Sequence, residues 1–171
     1  MSYWDSAKRV WHPEVLAYDQ SITGAAYRIA VLSVPSATVT TVPMDTFAST
    51  GGSLAPVTSS GDVKVKAAGS YRIVGNVGLV LSTSDANITK IFEASIYING
   101  VLAQTTRGPA SVNPVISVYD LAYLSVDDVI SLRVLHDTAG NKNTSTLLGA
   151  YPALLVEQCF CCPPCREAPE G

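Results

Sequence analysis

The fold class is decided by the stretch GDVKVKAAGSYRIVG, which spans residues 61–75. Its valines alternate with lysines, and the same alternation resumes with Tyr71 and Ile73 after the pair Ala68–Gly69. A repeat of two residues is the period of a β-strand with one buried face, and small residues between two such runs indicate a turn. The stretch therefore predicts two strands joined by a tight turn.

The same period recurs downstream. Apolar residues alternate with polar or aromatic ones between Phe92 and Ile98 and again between Ile130 and Val134. Asn99–Gly100 supplies the two positive-φ residues of a type I′ hairpin turn, and Asp127–Asp128 marks a second turn. With about eight to ten short strands and no amphipathic helical run, the chain is predicted to be an all-β, two-sheet sandwich or jelly roll.

Composition excludes several classes of protein. The chain has 171 residues and 18.0 kDa, with 47% hydrophobic and 15% charged residues and a net charge of −3. A core of ordinary size is expected, and no basic excess is present that would favour binding to nucleic acid. No apolar run approaches the roughly 18 residues of a membrane helix. Charged residues in the first 15 positions replace the apolar block of a signal peptide, so we expect no membrane association and no secretion.

Catalytic motifs are lacking in the sequence. It has two histidines and no Gly-x-Ser-x-Gly, phosphate-binding loop or His-Glu-x-x-His pattern. His136, beside Asp137 at a strand end, is interpreted as a solvated loop residue rather than a base. Asp127 and Asp128 are interpreted as turn formers rather than calcium ligands. We therefore expect a protein that is not an enzyme.

The first 26 residues form a segment of different character, predicted as an N-terminal docking arm (residues 1–26). It contains both tryptophans and shows no alternation. One interpretation is an arm that covers its own sheet edge, and a second is an arm that docks on a partner, because Trp and Tyr dominate interface hot spots. The candidate docking residues are Tyr3, Trp4, Trp11 and Tyr18.

A Cys/Pro-rich tail is predicted at residues 158–171. All the cysteines of the chain lie there, at Cys159, Cys161, Cys162 and Cys165. Their thiols are candidate ligands for Zn²⁺ or an iron–sulfur cluster. The same spacing is also compatible with disulfides within or between chains and with free thiols, so no certain cofactor follows from it.

Four segments in order resemble the complement globular-head and tumour-necrosis-factor superfamily. They are residues 61–75, 94–103 (ASIYINGVLA), 123–134 (YLSVDDVISLRV) and 148–156 (LGAYPALLV). Asp127 stands where the family commonly has glycine. The resemblance covers residues 27–157 and implies an antiparallel jelly roll of about ten strands that assembles as a homotrimer.

The implied trimer needs an interface, and tyrosines suit one because they bury a ring while the hydroxyl keeps a polar partner. Each of them could instead be an ordinary half-exposed sheet residue. The candidate interface residues are Tyr97, Tyr119, Tyr123 and Tyr151.

The chain also resembles the compact jelly-roll domains of tailed-bacteriophage virion proteins. This implies a trimeric capsid decoration (cement) protein, made in the host cytoplasm and located on the virion surface, with the major capsid protein or another virion protein as partner. A second hypothesis is a receptor- or glycan-binding head of a spike or tail fibre that uses the loops Ser82–Asn87, Thr105–Asn113 and Thr138–Thr146. A third hypothesis is a metal- or cluster-binding protein that acts through the cysteines.

Overall fold

A computed structural model describes residues 3–5, 10–12, 23–49, 54–57, 60–85, 87–147 and 150–159. Within these residues the regular structure is entirely β. The strands are β1 (Tyr3–Asp5), β2 (Val10–His12), β3 (Thr23–Tyr27), β4 (Ser33–Val34), β5 (Thr40–Thr41), β6 (Thr46–Ser49), β7 (Leu54–Val57), β8 (Asp62–Val65), β9 (Gly69–Val80), β10 (Asn87–Ile98), β11 (Val101–Ala110), β12 (Val115–Leu124), β13 (Val129–His136), β14 (Lys142–Thr144) and β15 (Ala153–Gln158).

Two antiparallel sheets form the sandwich. The β10 sheet has the order β11-β10-β13-β8-β7, with β5 also pairing with β13. The β9 sheet has the order β4-β14-β9-β15-β3-β6, with β12 also pairing with β9. Neighbours that are distant in sequence, such as β9 and β15 or β10 and β13, are the crossovers of a jelly roll. The predicted fold class is confirmed, and β15, which begins within the segment 148–156, lies in the middle of the β9 sheet.

The core lies between the sheets and follows the predicted alternation. On β9 the side chains of Tyr71, Ile73, Val77 and Leu79 are fully buried. Gly75 is the inward-facing position between Ile73 and Val77, and it packs directly against Leu132. A Cβ at Gly75 would lie 2.6 Å from Cδ1 of Leu132. From the β10 sheet the facing residues are Phe92, Ala94, Ile96, Ile130, Leu132 and Val134.

Both predicted turns are present and contact each other. Asn99 and Gly100 have φ of 52° and 78° and join β10 to β11. The Asn99 side chain accepts a hydrogen bond from the Val129 N–H at 2.9 Å and donates one to Asp128 Oδ1 at 2.7 Å. Asp127 has a φ of 74°, a conformation that glycine adopts at less cost.

The described strands reach beyond the predicted domain limits. Strand β3 starts at Thr23, four residues before the predicted boundary, and pairs with β15 from Thr23 opposite Glu157 to Tyr27 opposite Ala153. Farther upstream, β1 and β2 form a short antiparallel pair in which Trp4 lies opposite Trp11. The docking role of residues 1–26 stays a prediction.

His136 is not a solvated loop residue, so that interpretation is wrong. Strand β13 continues to His136, which is the fourth inward-facing position after Ile130, Leu132 and Val134 and has 0% of its surface exposed. Its Nε2 lies 2.9 Å from the Val34 carbonyl oxygen, and its Nδ1 lies 2.8 Å from the Thr138 hydroxyl. The neutral tautomer with a proton on Nε2 satisfies both contacts.

Among the residues that the structure describes, no helix is long and apolar enough to cross a bilayer.

Candidate functional site

An exposed apolar stripe runs along β12, which pairs with β9 at one edge of the β9 sheet. Its inward residues Ile116, Val118 and Leu124 belong to the core. On the outward side, Tyr119, Leu121 and Tyr123 are 62%, 69% and 73% exposed. Large apolar side chains in a row on an open sheet face are the usual mark of an interaction surface.

The stripe continues across the sheet because the strands are in register. Tyr119 lies opposite Val74 on β9, Val74 opposite Leu155 on β15, and Leu155 opposite Ala25 on β3. These four residues, which we name the apolar row, span four strands on the outward side. The row gives this face a contiguous apolar centre.

Polar pairs lie on both sides of the apolar row. Arg72 and Glu157 form an ion pair next to Leu121, and the Ser117 hydroxyl donates a hydrogen bond to Asn76 Oδ1 at 2.6 Å. Exposed ion pairs of this kind contribute little to stability, about 0–1 kcal/mol, but their fixed positions favour one orientation of a docked surface.

The predicted interface tyrosines do not all share this face. Tyr119 and Tyr123 lie on it, and Tyr151 packs edge-on against Tyr27 at the end of β3, with ring centroids 5.6 Å apart. Tyr97 lies in the β10 sheet, where the Arg133 guanidinium carbon sits 3.9 Å from its ring centroid. The structure therefore brings three of the four to the β9 sheet.

Cys159 directly follows β15 in the β9 sheet. Its N–H donates to the Ser70 carbonyl oxygen at 2.7 Å, and its thiol is free and half-buried. Cys161, Cys162 and Cys165 lie outside the described residues, as does Tyr18, and of Tyr3, Trp4 and Trp11 only the backbone is described. Zn²⁺, an iron–sulfur cluster and disulfides stay predictions for the tail.

The segments predicted as ligand-binding loops are partly strand, because residues 105–110 belong to β11 and Lys142–Thr144 are β14. Their remaining parts meet at one end of the sandwich. The Asn113 N–H donates to the Leu81 carbonyl oxygen at 3.4 Å, and Lys142 pairs with Asp85 at 2.5 Å. The Lys142 hydrogen bond, followed by hydrogen bonds from Ser82, lowers the pKa of Asp85 from 3.8 to about 2. Asp85 thus stays ionised and holds the loop to β14.

Acidification should release this loop. The folded-state pKa of Asp85 lies below its ordinary value of 3.8, so its contribution is complete above that pH and disappears as the pH falls toward about 2. We expect wild type to have a higher melting temperature than Asp85→Asn at neutral pH. The difference between the two melting temperatures should disappear as the pH falls from about 4 to about 2. A difference that persists at the acid end of this range would contradict the assignment. Thermal melts followed by circular dichroism measure it.

A metal centre would need at least three His, Cys, Asp or Glu side chains placed around one ion. The described residues contain no such set. Within the described part of the chain, the main candidate site is therefore the apolar face of the β9 sheet.

Comparison with known proteins gives matches in structure only. No family model matches the sequence, and no curated protein matches it. Murine APRIL at pH 8.0 superposes with a TM-score of 0.56 at 16% identity over 81% of this chain and 99% of that one. Eiger TNF from S. frugiperda gives 0.52 at 13% identity over 87% and 100%, and rabbit GITRL gives 0.50 at 12% over 82% and 95%. The chain therefore has a TNF-like jelly-roll fold.

Proposed function

We propose that this chain is a non-enzymatic protein that assembles as a homotrimer and decorates the surface of a bacteriophage capsid. The observation that carries the assembly is the apolar row with its neighbours Leu121 and Tyr123. A closed threefold ring needs a heterologous contact, in which one patch meets a different patch of the next subunit. The β12 stripe at the sheet edge and the apolar centre on β9 and β15 provide two such patches.

The direction of the chain supports attachment to a larger particle. Strand β3 begins at Thr23, opposite Glu157, so the start of β3 and the end of β15 lie at the same end of the sandwich. The loops joined by Asp85 and Lys142 lie at the opposite end of the 12-residue strand β9, roughly 35 Å away. Two candidate attachment segments at one end and ordered loops at the opposite end suit a protein that stands on a shell.

The experiment removes the predicted docking arm. Deletion of residues 2–20 leaves β3 intact, so we expect a folded trimer that no longer sediments with capsids, whereas full-length protein does.

Mass spectrometry of density-purified virions should find the full-length chain in copies divisible by three. The matched control is Trp4→Phe with Trp11→Phe, which keeps aromatic anchors and should retain binding. A deleted trimer that still binds capsids would refute the docking role.

A receptor- or glycan-binding head is the second candidate, and the contacts of Asn113 with Leu81 and of Lys142 with Asp85, which bring parts of the three predicted loops to one end, favour it. In that case the protein would be found at tail or spike positions in labelled virions rather than over the capsid. Substitutions in these loops would then abolish adsorption to cells and leave virion assembly intact.

A further inference from the structure

Arg133 lies in the middle of the outward face of the β10 sheet, on the side away from the apolar row, next to Ser95 and Ser131, which are 3% and 6% exposed. Its backbone lies between Ser95 on β10 and Thr41 on β5. The guanidinium rests on the ring of Tyr97, 3.9 Å from the centroid, and its Nε is buried without a hydrogen-bond partner among the described residues. Stacking on an aromatic ring fixes the plane of the guanidinium and leaves its terminal nitrogens able to bind an acceptor.

The neighbouring carboxylate does not neutralise this arginine. Glu93, two positions from Ser95 on the same face, is 9% exposed and forms an ion pair with Arg107. Its second oxygen accepts a hydrogen bond from the Ser95 hydroxyl at 3.1 Å. The acidic group is thus fully engaged, and within the described residues the positive charge of Arg133 has no ion-pair partner.

Hydroxyl groups surround this charge. Ser131 lies directly opposite Tyr97, and Thr41 lies directly opposite Arg133. The hydroxyls of Ser131, Thr41 and Tyr97 form no hydrogen bond with a residue that the structure describes. Ser131 is only 6% exposed, so the patch, defined as Arg133, Tyr97 and Thr41, combines a planar cation with two hydroxyls that can still take a ligand.

We propose that this patch binds a saccharide that carries a carboxylate. A guanidinium fork matches a carboxylate in a two-point, charge-assisted contact, which a neutral sugar does not provide. The hydroxyls of Thr41 and Tyr97 match the ring hydroxyls of the sugar, which also donate and accept. Because Arg133 Nε is buried, the terminal nitrogens of the guanidinium would make this contact.

The site does not depend on the proposed trimer. In a trimer assembled through the β9 sheet, however, three copies of the patch would face outward, and several weak contacts on one polymer combine into stronger binding.

The test is a titration of the full chain with D-glucuronate, followed by amide chemical shifts. We expect saturable shifts around Arg133, at least tenfold weaker binding of D-glucose, and at least tenfold weaker glucuronate binding for Arg133→Gln. Arg133→Lys keeps the charge and the fold but lacks the planar fork, so it should also lose affinity. Lys90→Gln removes an exposed cation elsewhere on β10 and should bind as wild type does.

Two results would overturn the proposal. One is the absence of saturable binding of D-glucuronate or a glucuronate polymer to wild type. The second is equal binding of acetate and D-glucuronate, which would leave an anion contact without sugar recognition. Light scattering on the same samples reports the oligomeric mass, so failure of the trimer and failure of the saccharide site are separate outcomes.

Discussion

Replacement of Tyr119 by glutamate should convert the assembly from a trimer to single chains at micromolar concentration. Tyr119 begins the apolar row, opposite Val74, and is 62% exposed on the isolated chain. A carboxylate buried there without a partner costs several kcal/mol, and threefold symmetry repeats that cost at each interface. Multi-angle light scattering should show wild type at three times 18.0 kDa and the variant at the mass of one chain.

The matched control for Tyr119→Glu is Val101→Glu. Val101 is 70% exposed at the β10–β11 hairpin, outside the β9 sheet, so an added charge there should leave the trimer intact. Circular dichroism should show an unchanged β spectrum for both variants, because Tyr119 faces away from the core. A trimeric Tyr119→Glu variant would refute the interface, and so would a wild-type protein of single-chain mass.

Replacement of His136 by leucine should lower the free energy of unfolding by about 1–3 kcal/mol. Leucine fits the apolar position but leaves the Val34 carbonyl and the Thr138 hydroxyl without the contacts at 2.9 and 2.8 Å. Urea unfolding followed by circular dichroism of the β signal measures the loss. Thr138→Val removes one of the two contacts and should cost less. A leucine variant as stable as wild type would show that these hydrogen bonds contribute nothing net.

The strands that could be predicted are those with one clearly apolar face. Burial imposes a period of two on β9, β10 and β13, and the pair Asn99–Gly100 has few conformations besides the observed turn. Strand β3 escapes prediction because its sequence, TGAAY, consists mostly of small residues whose alternation carries no hydrophobic signal. Gly24 nevertheless allows a close approach there, since a Cβ would lie 2.6 Å from Cδ1 of Leu54 and would make that side chain shift.

Residue type alone could not assign the sites. Tyr97 and Tyr119 both stand in strands and look alike in the sequence, but the crossovers of the jelly roll place them on opposite sheets. The contact between Tyr97 and Arg133 depends on cross-strand pairing between β10 and β13, which no local pattern encodes. The sequence around His136 is misleading because Asp137 and the polar residues after it suggest a loop, while the strand period extends one position farther.

The separation of the two chain segments from the far loops makes the molecule a suitable platform for display. A peptide inserted at Gly140, where an added Cβ would meet no atom within 4 Å, would project from the end of the sandwich that carries Asp85 and Lys142. A tag fused ahead of β3 or after β15 would instead lie at the end that carries the two candidate attachment segments. Engineered cargo therefore belongs in the loop that contains Gly140.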